Sequence, residues 1–277
     1  MATPSLTRHS IPGALGAINI DVRTGDRKNP RPAVVIAHGF KGFKDWGMFP
    51  VLADRLAKAG FSVVTFNMSG SGVDDAGDFT RIESFSHNTY SAELDDLGRV
   101  MGALGPELDL PSPTAIGLLG HSRGGGISVL HAALDPAVTA LVTWAAIGSV
   151  DRWSDAAKDA WRRRGYLNIQ NTRTGQVIPL STDVLDDVGR NGGSTLNITA
   201  AAARVRAPWL IVHGAADETV AVADATNLGK SARPANRVLI LEGASHTFGA
   251  AHPLVEISPD LDLAIAESVG WFSLHLR

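Results

Sequence analysis

The chain has 277 residues, a formal net charge of −3 and no cysteine. The missing cysteine excludes disulfides, thiolate metal sites and cysteine nucleophiles, and the mild acidity with no long basic block gives a nucleic-acid partner no electrostatic footing. The length fits one large domain with a sizeable core and room for an inserted cap.

Residues 1–12 carry no apolar leader, and no run reaches the length of a membrane span. A soluble, cytoplasmic protein with no membrane partner is the expectation. Residues 6–11 and 17–22 read as two strands joined through Pro12-Gly13. Residues 24–32 form a polar turn, and Ala33-Val34-Val35-Ile36-Ala37 is a strand buried on both faces. That strand runs into His38-Gly39-Phe40. Phe49, Leu52, Leu56 and Ala59 share one face of a helix over 46–59, stopped by Gly60.

A strand over 61–66, a glycine-bearing loop over 67–78 and a helix over 86–104 follow. Residues 114–119 are an apolar strand that enters Gly120-His121-Ser122-Arg123-Gly124, and a helix runs from there to Leu134. This is G-x-S-x-G in strand–turn–helix context, where a strained turn lifts a serine above the sheet and glycines let strand and helix approach. Residues 138–144 are another strand. Strands and helices that alternate in this way predict an α/β fold, a mostly parallel doubly wound sheet.

The alternation breaks over 151–206. A helix over 153–164, a small hairpin around 171–175 and short helices over 182–189 and 198–205 read as a cap inserted into a core of 1–150 and 207–277. A pair of ordinary connecting helices is the plainer alternative. The core pattern resumes with a strand at 209–212, a helix at 220–229, a strand at 238–241 and a closing helix at 261–274.

Serine is a weak nucleophile that needs an adjacent base, and the base needs an orienting acid. Sites in open α/β sheets gather beyond the carboxyl ends of strands. Asp217 lies just past the 209–212 strand and His246 just past the 238–241 strand. The order Ser122, Asp217, His246 is that of the α/β-hydrolase triad. Each has a plainer use. Asp217 would serve as a helix cap, His246 as a surface loop residue, and Glu218 stands beside Asp217 as a rival orienter.

The oxyanion donors expected are the backbone N–H groups of Arg123 and Phe40. His38, His121 and His213 read as structural histidines beside strand ends. No histidine spacing fits a metal, and Ser69-Gly70-Ser71-Gly72 lacks the rest of a phosphate loop, so no cofactor is expected. Trp153, Trp161 and Tyr166 are candidates for a substrate pocket or, equally, for core packing under the cap. Arg162-Arg163-Arg164 reads as a solvated face.

With these residues in view, the chain resembles an α/β-hydrolase-fold serine hydrolase from about Ala33 to its C-terminus. It is similar to the carboxylesterase branch that includes cinnamoyl and feruloyl esterases, and to dienelactone-hydrolase-like proteins. True dienelactone hydrolases use a cysteine nucleophile, which this chain lacks. The resemblance implies a small-molecule ester substrate, an acyl-enzyme intermediate and a cap that shapes the pocket. Thioester or amide cleavage on the same triad, and a non-catalytic binding module on the same fold, are the competing readings. The acyl group and the oligomeric state are left open.

Overall fold

The computed structural model describes residues 4–171, 175–233 and 235–276. In chain order the core opens with β1 (Ser5–Pro12), β2 (Ala17–Thr24), β3 (Ala33–Ala37), α1 (Met48–Lys58), β4 (Ser62–Phe66), α2 (Ile82–Ser86) and α3 (Tyr90–Gly102). It continues with β5 (Ile116–His121), α4 (Arg123–Leu134) and β6 (Val138–Trp144). The 151–206 segment holds α5 (Asp155–Arg164), β7 (Tyr166–Gln170), β8 (Val177–Ser181), α6 (Asp183–Asn191) and α7 (Ile198–Ala202). Then come β9 (Trp209–Gly214), α8 (Val222–Ser231), β10 (Asn236–Leu241) and α9 (Pro259–His275).

Eight strands form one sheet in the order β1-β2-β4-β3-β5-β6-β9-β10. The β1–β2 and β2–β4 pairs are antiparallel, and the strands from β4 to β10 run parallel. The register matters for the site. Ala37 pairs with Gly120, His121 with Trp144, Trp144 with Val212, and Leu241 with Gly214. The carboxyl ends of β3, β5, β6, β9 and β10 therefore stand side by side, and the loops that leave them share one edge, where ligands of open α/β sheets bind.

Side chains alternate across the strands and build a core on each face. Val34 and Ile36 join Phe49, Leu52, Leu56, Leu261, Ile265 and Phe272 under α1 and α9. Val35 and Ala37 join Leu97, Ile127 and Leu130 under α3 and α4. Trp161, Ile178, Leu180, Val184, Ile198 and Ala202 belong to that second cluster. The 151–206 segment thus has its own two-stranded sheet but shares its apolar core with the main sheet.

The helix predicted over 86–104 is α3, which starts at Tyr90, and the short α2 precedes it. Thr89 is extended at φ −128°, and its side chain accepts the Ala92 N–H, a cap that starts α3 afresh. Thr172, Arg173 and Thr174 of the predicted hairpin turn lie outside the described residues. Among the described residues no helix is long and apolar enough to cross a membrane.

Candidate active site

Ser122 stands between β5 and α4 with φ 56° and ψ −120°, left-handed backbone in a residue that has a side chain. Its N–H donates to the Trp144 carbonyl at 2.8 Å, and its own carbonyl accepts from Ile147 N–H at 3.2 Å. The turn is pinned by close backbone approach. A Cβ on Gly124 would sit 2.2 Å from the His38 carbonyl oxygen, and one on Gly120 2.4 Å from that of Gly124. Glycine on both sides of the serine is thus a packing requirement of β3, β5 and α4 together.

Ser122 Oγ lies 3.0 Å from His246 Nε2, and His246 Nδ1 lies 2.7 Å from Asp217 Oδ2. These three residues, 29 and 124 positions apart along the chain, are brought together by the aligned strand ends. Asp217 is fully enclosed at its side chain. Its Oδ1 accepts the N–H groups of Thr219 at 2.8 Å and Val220 at 2.9 Å. Its Oδ2 also faces His213 Nε2 at 3.3 Å. Burial alone pushes this carboxyl up, but the hydrogen bonds from His213, His246 and Val220 outweigh it and hold Asp217 well below the usual carboxylate range. An ionised Asp217 fixes the His246 proton on Nδ1, which leaves Nε2 as acceptor for the serine hydroxyl. Glu218 is exposed and plays no part in this chain of bonds.

Gly39 lies against the serine: a Cβ there would be 2.8 Å from Ser122 Cβ. The Gly39 carbonyl accepts from Gly42 N–H at 2.9 Å and from His38 Nδ1 at 2.8 Å. A trans peptide points its N–H opposite to its carbonyl. With the carbonyl held from one side, the Phe40 N–H is turned to the other. Arg123 is the first residue of α4, where a helix leaves its N–H groups without intrahelical acceptors. Arg123 directly follows Ser122, and Phe40 directly follows Gly39, which packs against that serine.

The strand-end histidines brace these loops. His38 Nε2 accepts the Met68 N–H at 3.1 Å, and burial holds its pKa down at about 4. His121 donates from Nε2 to the His246 carbonyl at 3.0 Å, and burial holds it down at about 3. Both are neutral rings with one donor and one acceptor nitrogen. His213 is wholly buried and bonds to the Val220 carbonyl at 2.9 Å, which closes the Asp217 loop.

The aromatics of the 151–206 segment pack into the shared core or face solvent. Trp161 is 2% exposed and donates its indole N–H to the Leu180 carbonyl at 3.0 Å. It meets Trp153 edge-on at 5.2 Å. Tyr166 faces outward under the Arg164 guanidinium. Rings from the core segment come up to the elbow instead: Phe40, stacked on the buried Phe85 at 5.1 Å, and Tyr90. A cavity of about 340 Å³ lies at the seam between Gly148–Asp151 and the cap residues Val188, Leu196 and Ile198.

Sequence reasoning missed one cluster beside the serine. The Arg123 side chain is buried, with Nε 2.9 Å from Glu93 Oε2 and its guanidinium carbon 3.9 Å from the Tyr90 ring centre. Asn88 Nδ2 donates to Glu93 Oε1 at 2.7 Å. Burial pushes the Glu93 carboxyl up, and Arg123 and Asn88 oppose that shift. Only the basic residue placed directly after Ser122 signalled it in the sequence. Among the described residues no group of three or more His, Asp or Glu is placed to hold a metal ion.

Comparison with known proteins agrees with this architecture. Residues 32–168 match the family model of the alpha/beta hydrolase fold. The chain is 22% identical over 223 residues to a 2,6-dihydropseudooxynicotine hydrolase of Paenarthrobacter nicotinovorans, a match that covers 79% of this chain. It spans about half the length of that curated relative, 53%. Among solved structures, a putative hydrolase from Agrobacterium vitis superposes with a TM-score of 0.75 at 18% identity, over 96% of this chain and 99% of that one. Est1E from Butyrivibrio proteoclasticus with bound ferulic acid gives 0.73 at 19% identity, over 96% and 98%. The sheet order, the elbow and these likenesses agree: this is a protein of the alpha/beta hydrolase fold.

Proposed function

We propose that the protein is a serine hydrolase that cleaves carboxylic esters of small molecules through an acyl-enzyme. One observation carries the reading: the unbroken hydrogen-bond chain from Ser122 Oγ through the His246 ring to Asp217, at 3.0 and 2.7 Å. His246 Nε2 takes the hydroxyl proton as Oγ attacks the ester carbonyl carbon. The N–H groups of Phe40 and Arg123 receive the negative oxygen of the tetrahedral intermediate. His246 then gives its proton to the leaving alcohol, and Ser122 is left acylated. Water, deprotonated by the same nitrogen, adds to the acyl carbon, and collapse releases the acid and restores the hydroxyl. Asp217 stays ionised and stabilises the imidazolium throughout.

The acyl group is read as aromatic. Phe40, half-buried and backed by the fully buried Phe85, offers a ring beside the elbow, and the structurally similar Est1E holds ferulic acid. A panel of chromogenic esters with aliphatic and aromatic acyl groups tests both halves of the reading. The wild type should turn over and be labelled at Ser122 by a fluorophosphonate. Ser122→Ala should lose about 10⁴–10⁶ in kcat. Full turnover by that variant, or folded wild-type protein that neither hydrolyses nor labels, overturns the proposal.

A further inference from the structure

The guanidinium of Arg123 lies in a closed setting. It pairs through Nε with Glu93 at 2.9 Å, lies over the Tyr90 ring at 3.9 Å and reaches the Phe40 ring at 5.2 Å. The side chains of Arg123 and Glu93 are 4% and 5% exposed. Two facts set this ion pair apart from ordinary packing. Arg123 follows a serine held at φ 56°, a conformation that persists only where its surroundings over-determine it. And the two residues expected to give the oxyanion donors, Phe40 and Arg123, touch each other through their side chains.

We infer that Glu93 and Tyr90, through Arg123, are positioning residues that fix both N–H groups of the oxyanion site. The inference rests on the serine-hydrolase reading above. Glu93 is anchored from behind by Asn88 Nδ2 at 2.7 Å, and both Tyr90 and Glu93 sit on the first turn of α3, whose start Thr89 caps. The guanidinium is thereby held between a helix that carries no nucleophile and a loop that carries the second donor. A buried ion pair gives little net stability over apolar residues of the same shape. Its loss should therefore read mainly in the geometry at Arg123, where displacement of about 1 Å costs on the order of 10² in rate.

The test compares wild type with the double variant Arg123→Met/Glu93→Gln, which removes both charges and leaves neither buried alone. An aryl ester gives kcat and KM, and a trifluoromethyl ketone, whose serine adduct carries an oxyanion, reports on the site itself. The clamp predicts kcat about 30- to 100-fold lower, KM within about twofold, and ketone affinity lower by the same factor as kcat/KM. Loss of packing alone would lower the melting point without that parallel. Turnover and ketone affinity within twofold of wild type overturn the inference. So does a rise in KM confined to esters that carry a carboxylate, because Arg123 Nη2, which has no hydrogen-bond partner among the described residues, would then be a substrate anchor. Where the double variant yields no folded protein, Tyr90→Leu keeps both charges and removes the ring beneath the guanidinium; the same split between kcat and KM is required of it. Wild type inert to both ester and ketone would instead refute the serine-hydrolase reading.

Discussion

The carboxyl edge of the sheet and the 151–206 segment are built by different means. At the edge, backbone meets backbone. A Cβ on Gly124 would lie 2.2 Å from the His38 carbonyl oxygen, and one on Gly214 2.1 Å from that of Ala244, which ties the Asp217 loop to the His246 loop. In the 151–206 segment, Cβ atoms added at Gly165, Gly189 and Gly193 would meet nothing within 4 Å, and the close approach at Gly192 is only to Val188 of its own helix. Side chains such as Trp161, Ile178, Leu180 and Val184 hold the segment down instead. Contacts that only glycine permits leave a fixed mark on the sequence. Apolar packing accepts many residues of similar volume and leaves little. Beside that shared apolar core, a polar contact joins the segment to α3: the Asp187 carboxylate of α6 takes the Ser91 N–H at 2.9 Å, one residue from Tyr90.

Gly124→Ala should break the edge outright. The obstructing atoms are the carbonyl oxygens of His38 at 2.2 Å and Ala37 at 2.7 Å, and neither moves without parting α4 from β3. We expect a loss of about 3 kcal/mol or more in urea unfolding. Ester turnover in the protein that still folds should drop by at least ~10², since the serine shifts with its helix. A variant within about 0.5 kcal/mol of wild type would show that the approach is not rigid.

This contrast also explains what the sequence revealed. Ser122, Asp217 and His246 each stand a few residues past an apolar strand, with Gly124, Gly214 and Gly243 marking the turns. The parallel register converts those short offsets, of one, three and five residues past β5, β9 and β10, into neighbours. His38, His121 and His213 were readable as braces by position, while their bonding partners were not. The start of α3 falls four residues past the predicted 86, at 90, where the Thr89 cap sets it, and the five-residue α2 before it is missing from the prediction. Glu93 left no signal. It sits 30 positions from Arg123, and a buried carboxylate on a helix reads like an exposed one until the helix is packed. Trp153, Trp161 and Tyr166 show the same limit from the other side, since aromatic identity does not say which way a ring faces.

Acid should separate the regions next. His38 and His121 brace the edge as neutral rings, held at about 4 and about 3 against an ordinary 6.5. The cap, residues 151–206, contains no histidine. Below pH 6.5 the unfolded chain takes up these protons and the folded one does not, so stability falls as pH falls, until each folded pKa is reached. At ~1.4 kcal/mol per pH unit, each histidine accounts for about 2 kcal/mol between pH 6.5 and 5. Asp217, held below its usual range, works in the same direction lower down, where the unfolded carboxylate begins to protonate. Urea midpoints measured from pH 7 to 5 should decline accordingly. His38→Gln, though less stable at pH 7, should show a shallower decline by one histidine's share. A decline in His38→Gln as steep as that of the wild type would mean that this ring is not held neutral.

The gentlest test makes at a cap glycine the replacement that breaks the edge. Gly189 is an exposed residue of α6, and an added Cβ meets no atom within 4 Å. A methyl there costs no contact, and it lowers the backbone entropy of the unfolded chain. Alanine is favoured over glycine within a helix by about 0.5–1 kcal/mol. Gly189→Ala should therefore raise the melting temperature by roughly 1–3 °C and leave kcat and KM for an aryl ester within twofold. The opposite signs of Gly124→Ala and Gly189→Ala would follow from one variable, the distance from the new Cβ to the nearest backbone oxygen. If Gly189→Ala instead lowered kcat, α6 would be acting on the edge through Asp187 and Ser91, and the cap would be part of the mechanism of turnover rather than a cover placed over it.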